Sequence, residues 1–352
     1  MKKSMNRIVC GLTAAVMMGT LTACSGGQGE TKAAAPSGSE AAGNTESTAQ
    51  QGEAQAEMKA TVIWRAFDDQ FQSGFRIIMQ NEAEKLGSIT LDMQDAANDV
   101  STANSKLEVA LSKKTDVVAI CAPDRESIEN MMKKCDADGV PAVFFNMEPM
   151  EDTMKRYDNI WYVGAQAKQS GEMCAQALIN YWNDKKDIAD KNGDGKLQLV
   201  ILQGEIGQQD VTLRTDAYKE TLEKNGIDGI EGVLCNNDSM AMGAVQACIN
   251  NGYNSGDAEK FVPIVGIDAN IDALEAMKAG SLLGTVLNDR KSQSDAIINV
   301  IKAVHAGTEI TEDVAGVDCT VDGKYVWVPY VIVDESNLSA TLEDMLAVAQ
   351  SE

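Results

Sequence analysis

The chain has 352 residues, 44% hydrophobic and 24% charged, with 53 acidic side chains against 30 basic ones and a formal net charge of −23. A surface this acidic repels nucleic acid and anionic headgroups, which argues against a nucleic-acid partner. With a single histidine, His305, set among Ala303, Val304 and Ala306, neither Ser–His or Cys–His nucleophilic catalysis nor a histidine-based zinc site is expected.

Residues 1–23 read as a lipoprotein signal peptide. Lys2, Lys3 and Arg7 precede an apolar run over 8–21, and Leu21-Thr22-Ala23 ends directly at Cys24. The run is too short to span a bilayer. Cys24 is therefore the expected lipidation site, and two or more acyl chains there would hold the protein stably. The expected location is extracytoplasmic, anchored to the cell membrane through that lipid alone. Residues 24–57 are mostly Gly, Ser, Ala, Gln, Glu and Thr without an aromatic, a composition that cannot bury enough apolar surface to fold and reads as a flexible linker. The remainder is long for one hydrophobic core and suits two domains. Its six cysteines, Cys121, Cys135, Cys174, Cys235, Cys248 and Cys319, are widely spaced, with no CxxC, and read as free thiols in apolar patterns.

From residue 60 the chain alternates strand, loop and helix. Apolar runs of strand length fall at 60–64, 89–93, 117–121, 142–146 and 161–163, then at 197–202, 232–235, 264–267, 283–287 and 328–333. Amphipathic helical patterns lie between most of them, at 71–86, 102–113, 127–137, 168–182 and 239–250. This order predicts an α/β protein with two parallel sheets, each covered on both faces. The strand at 197–202, with Leu199, Val200, Ile201 and Leu202, is expected to be buried on both sides.

Just before that strand, Asp190, Asn192, Asp194 and Gln198 place side-chain oxygens at alternate positions with Gly195 sixth, the beginning of an EF-hand-type calcium loop. The twelfth position, where a bidentate Glu belongs, is Ile201. Either a remote carboxylate closes the site or the segment is an Asx-rich turn. Polar residues also follow the strands: Asp68 and Asp69, Asn146, Asp210, Asn236-Asn237-Asp238, Asp268, and Asn288-Asp289. Any one could be a helix cap or turn residue. Taken together they would line a cleft where open α/β sheets bind ligands, at the carboxyl ends of the strands. Carboxylates, amides and Arg214 there suit a neutral polyhydroxylated ligand. Phe71 would offer a ring face, unless it packs in the core.

Phe67-Asp68-Asp69-Gln70-Phe71, Val143-Phe144-Phe145-Asn146-Met147-Glu148-Pro149, Tyr162-Val163-Gly164, the loop at 190–198, Asn236-Asn237-Asp238-Ser239-Met240-Ala241-Met242-Gly243-Ala244, Gly266-Ile267-Asp268, Gly284-Thr285-Val286-Leu287-Asn288-Asp289 and Val328-Pro329-Tyr330 resemble the galactose/glucose-binding proteins of bacterial ABC transporters. The resemblance runs in order from about 60 to 340. It implies a type I periplasmic-binding-protein fold of two Rossmann-like lobes joined by three crossings. The N-terminal lobe would take 58–165 with 289–327, and the C-terminal lobe 166–288 with 328–348. It implies a monomer that closes on a hexose and delivers it to ABC permease subunits. Asp69, Asn146, Asp210, Arg214, Asn237, Asp268 and Asn288 would hold the sugar hydroxyls, and Phe71 would stack on the ring. It also implies calcium, held by Asp190, Asn192, Asp194, Gln198, the Lys196 carbonyl and, as the remote carboxylate, Glu231.

Two departures stand out. Where the family commonly has a sugar-binding histidine this chain has Gln208, whose amide can still donate to a hydroxyl. Between Gly226 and Glu231 a strand-helix unit of the second lobe, with the Trp that completes an aromatic sandwich, is missing. Its loss is expected to weaken or retune the site, by about 1–3 kcal/mol for one aromatic face. A direct right-handed crossover would then demand that the helix near 212–225 change face of the sheet.

Other functions fit less well. A glycoside hydrolase would need Asp68-Asp69 or Asp210 to pair with Glu148, and no spacing fixes such a pair. A repressor with the same core would need a helix-turn-helix before residue 60, where the chain carries a signal and a linker. Presentation of the closed lobes to a chemoreceptor or sensor kinase is compatible with the same residues as transport.

Overall fold

The computed structural model describes residues 58–196, 198–225 and 231–349. The signal peptide, Cys24 and the linker expected before residue 58 lie outside the described residues, as does the connection at 226–230. The first part of the chain runs β1 (Met58–Trp64), α1 (Gln70–Leu86), β2 (Ile89–Asp95), α2 (Val100–Ser112), β3 (Val117–Ile120), α3 (Ile128–Asp138), β4 (Ala142–Phe145), α4 (Glu151–Met154) and β5 (Ile160–Gly164). These strands pair in parallel in the order β5-β4-β3-β1-β2. Along β1, Ala60, Val62 and Trp64 enter one apolar cluster with Phe75 and Phe145, while Ile63 enters the cluster on the opposite face with Leu107 and Met131. Burial on both faces is why these strands read as continuous apolar runs.

The chain then leaves this sheet for α5 (Ala167–Asp184), α6 (Lys186–Ala189), β6 (Leu199–Leu202), α7 (Gln209–Lys224), β7 (Gly232–Cys235), α8 (Asp238–Asn250), β8 (Ile264–Val265), α9 (Ile271–Lys278) and β9 (Thr285–Leu287). It returns through α10 (Arg290–Ala306), which packs on α1, and α11 (Glu312–Ala315) to β10 (Thr320–Asp322) and β11 (Tyr325–Trp327). It crosses a third time into β12 (Val331–Val333) and α12 (Leu338–Ala349). Strands β10 and β11 form a hairpin, and β11 joins the first sheet beside β5. The hairpin was not legible in the sequence because each strand has only three residues and Thr320-Val321-Asp322 carries no apolar run.

Strands β6, β7 and β8 form the second parallel sheet, which continues through a bridge from Val265 to Gly284 toward the antiparallel pair β9–β12. One face is covered by α5 and α7, through Leu178, Trp182, Tyr218 and Leu222. The other face is covered from α8, α9 and α12, through Val245, Leu274 and Leu342. Helices α5 and α7 approach closely at Gly171, where an added Cβ would lie 2.6 Å from the Arg214 carbonyl oxygen.

The structure corrects one expectation. Strand β6 is not buried on both faces: it is an edge strand among the described residues, and Val200 is 46% exposed. Without a neighbour on its outer side, nothing shields that side chain from water. No helix among the described residues is long and apolar enough to cross a membrane.

Candidate functional site

The two sheets bring their strand ends together across a cleft. Arg65 follows β1 and Asn146 follows β4; from the other side come Asn288 after β9 and the first turns of α7 with Gln209, Asp210 and Arg214. With Glu148, Gln293 and Tyr330 they line a cavity of about 40 Å³. Two strand-end residues take unusual backbone conformations, Asn146 with φ 62° and Asp268 with φ 123°. Asn tolerates the left-handed region, but Asp at 123° is held by its surroundings, a feature that clusters at functional sites.

Arg214 is buried, and each of its guanidinium nitrogens has a partner. Its Nη1 donates to Asp210 Oδ2 (3.1 Å) and the Asn236 carbonyl (2.9 Å), Nη2 donates to Tyr330 Oη (3.2 Å), and Nε donates to Ser170 Oγ (3.2 Å). Arg65 is the opposite case. Its Nη2 reaches Asp69 Oδ2 at 3.3 Å, but its Nε is buried with no hydrogen-bond partner. An unpaired buried donor costs ~1–3 kcal/mol. Across the cleft, Gln209 Nε2 donates to Glu148 Oε2 (2.9 Å), and burial raises the Glu148 carboxyl despite Arg125.

Below the cavity lies a buried group of charges. Burial pushes Asp268 up to about 8, against the pull of Arg214. Asp238 accepts from Thr285 Oγ1 (2.7 Å) and the Asn270 amide (2.8 Å), yet burial still lifts it to about 6. Arg290 donates from Nη1 to Asn270 Oδ1 (3.1 Å), and its Nε has no hydrogen-bond partner.

Of the residues expected to hold a sugar, Asn146, Asp210, Arg214 and Asn288 line this cavity. Asp69 caps α1, accepting from the Gln72 amide (2.8 Å), and touches the cavity through Arg65. Asp268 is buried, with Arg214 as its strongest favourable charge. Asn237 caps α8 by accepting from the Met240 amide at 2.9 Å. Phe71 packs in the core, edge-on to Phe75, with the Arg290 guanidinium 5.4 Å from its ring centre. Gln208 lines a neighbouring cavity instead, with Gln209, Arg125 and Met147. Arg65, Gln209, Gln293 and Tyr330 were not singled out from the sequence. Arg65 could have been, because it follows its strand as Asn146 follows β4.

The 190–198 loop folds on its own oxygens. Asp190 Oδ2 accepts from the Gly195 amide (2.8 Å), Asp194 Oδ1 from the Lys196 amide (2.9 Å), and Asp194 Oδ2 from Gln198 Nε2 (2.9 Å). Glu231, just before β7, reaches the loop and accepts from the amides of Asn192 (3.1 Å) and Lys191. Among the described residues no three His, Cys, Asp or Glu side chains gather as a metal-binding group. The donor set nonetheless fits a hard cation in one respect: Asp190 Oδ1 is buried without a partner, and carboxylate, amide and carbonyl oxygens are the ligands calcium takes.

A model of the periplasmic binding protein domain matches residues 60–231 and 224–309. The D-galactose/methyl-galactoside-binding periplasmic protein of Haemophilus influenzae is 32% identical, over 79% of this chain and 89% of that one. The xylitol-binding protein of Mycolicibacterium smegmatis is 26% identical over 65% of this chain and 67% of that one. Among solved structures, an ABC transporter solute-binding protein from Bacillus halodurans with bound myo-inositol superposes with a TM-score of 0.68 at 22% identity, covering 82% of this chain and 98% of that one. The arabinose-transporter binding protein of Shewanella sp. ANA-3 gives 0.69 at 16% identity, covering 84% and 97%. At those identities the structural likeness speaks to fold alone.

Proposed function

The chain belongs to the periplasmic binding protein domain family, and on that premise we propose that it captures a hexose of the galactose/glucose type between its two lobes and delivers it to an ABC importer. The observation that carries this reading is the cavity where Asn146, Asp210, Arg214 and Asn288 meet Arg65. Acceptor carboxylates, two-way amides and fixed arginine donors fit the alternating needs of sugar hydroxyls. Asp69, Asp268, Asn237 and Gln208 join the contact set as the lobes adjust to the ring, and Phe71 supports it from below. At ~10–15 Å³ per water-sized probe, the cavity of about 40 Å³ holds only a few waters. A hexose therefore enters an opened cleft, with Arg65 swung off Asp69.

Asp190, Asn192, Asp194, Gln198, Glu231 and the Lys196 carbonyl would hold a calcium ion. The ion would supply no chemistry to the sugar; its charge would tie the loop before β6 to the start of β7. Cys24 would carry the lipid anchor. The lobes, divided at 165/166, 288/289 and 327/328, would present their closed face to permease subunits, and the same face would serve a chemoreceptor or sensor kinase.

Isothermal titration of the purified full-length protein with galactose and glucose tests the reading. A micromolar Kd for either, about −8 kcal/mol, with the sugar recovered unchanged, supports it. A folded protein that gives no heat with either sugar, or that consumes the sugar, overturns it in favour of another ligand or of a hydrolase.

A further inference from the structure

A second, larger cavity adjoins the first. It measures about 450 Å³ and is open to solvent on one side. Met147 and Gln209 line both spaces, so the two adjoin. Each lobe supplies a wall: Arg125 and Met150 on one side, and Gln208, Thr212 and Leu213 at the start of α7 on the other. The loop that follows β6 reaches this cavity at Gly207 and Gln208, and β6 is the edge strand with no neighbour on its outer side among the described residues.

We propose that this cavity is a second subsite, and that the ligand is a neutral hexoside: the hexose sits in the inner cavity and a hydroxylated substituent, such as a second sugar ring, extends into the outer one. The inference rests on the hexose reading of the inner cavity. The lining has the mixed character a sugar requires. Met147, Met150 and Leu213 offer apolar surface to C–H faces, while Gln208 and Thr212 offer polar atoms to hydroxyls. Arg125 is committed, donating from Nε to the Glu148 carbonyl (2.9 Å) and from Nη2 to the Pro149 carbonyl (3.1 Å). Asp124 and Glu126 stand beside it. Among the described residues Arg125 is the one cation lining the space, flanked by two carboxylates, so an anionic substituent such as a phosphate is disfavoured. The cross-cleft bond from Gln209 to Glu148 stands at the junction of the two cavities and must turn aside for a linked ligand.

The test is titration of the full-length protein with galactose and glucose, and with lactose, melibiose, cellobiose and maltose, each repeated on Thr212→Trp and Met150→Trp. Both positions face the outer cavity only, from opposite walls, and both are exposed. The expected result is at least one disaccharide bound within about tenfold of its parent hexose. Each Trp variant should weaken that disaccharide about tenfold or more and move the monosaccharide far less. Binding of a hexose with rejection of every disaccharide overturns the subsite and leaves the hexose reading standing. Trp variants that weaken both ligand sizes in proportion overturn it too. A cooperative melt with no binding of any of these sugars removes the hexose reading itself, and the subsite with it.

Discussion

At the scale of single residues, the floor of the cleft is an electrostatic compromise. Asp268 faces Arg214 from α7, Asp238 from α8 and Arg290 from α10, with Asp69 further off, and burial outweighs the arginines in setting its protonation. The folded protein therefore holds a proton, up to about pH 8, that an unfolded Asp releases near 4. Stability from this group is fully present below pH 4, falls as the pH rises through that window and is lost above about 8. Asp268→Asn should accordingly raise the melting temperature of the sugar-free protein more at pH 8 than at pH 5 while weakening sugar binding; equal shifts at both pH values would contradict the assignment. Arg65→Met should relieve the unpaired buried Nε. We expect it to leave sugar-free stability near wild type or higher while lowering hexose affinity, on the order of 1–3 kcal/mol in binding. Four of the nine expected sugar residues line the inner cavity directly. They were legible because polar residues just beyond a strand, or in the first turns of the helix after it, stand where open α/β sheets bind ligands. Phe71 was not decidable from sequence, since one aromatic on an amphipathic helix serves a core or a ligand with the same spacing.

At the scale of elements, the pair α5–α7 organises the second lobe. Gly171 lets α7 sit against α5 so closely that a side chain would strike the Arg214 backbone. This contact also places the Arg214 side chain, through Ser170 on the same turn of α5. Gly171→Val should destabilise the protein by about 1–3 kcal/mol, read as a lower urea midpoint, and should reduce sugar affinity as well because Arg214 moves with the helix. The loop at 190–198 makes a separate prediction. If calcium binds there, saturating ion at ~100 times its Kd should stabilise the fold by about 2.7 kcal/mol, chelator should remove the gain, and Glu231→Gln should abolish most of it. A melt indifferent to both calcium and chelator would leave the loop a turn closed by its own hydrogen bonds. The strands were legible wherever they are buried on two faces. The β10–β11 hairpin was hidden because pairing in the sheet, not an apolar run, defines it.

At the scale of the whole molecule, the lobes meet through bonds that only the fold assembles. Gln70 on α1 donates to Asp272 on α9 (3.2 Å to each carboxylate oxygen) and accepts from Ser239 Oγ on α8 (2.7 Å), while Gln209 reaches Glu148. These bonds span the cleft in this conformation. Gln70→Ala should shift the sugar-free protein toward an open form, seen as a larger radius of gyration by small-angle scattering, and added hexose should restore the compact form. A scattering profile insensitive to both the substitution and the sugar would argue against closure about these contacts. The amino-acid sequence alone determined the α/β alternation and the polar register of the strand ends, because two-sided burial writes apolar runs and the caps and turns that follow each strand write polar ones. Only the tertiary structure decided that β6 is an edge, that Arg65 and Tyr330 reach the cavity, that Phe71 turns to the core and that a second space adjoins the first. These depend on which strands become neighbours and on how two distant lobes approach, and pairing and approach are properties of the packed chain that no local pattern encodes.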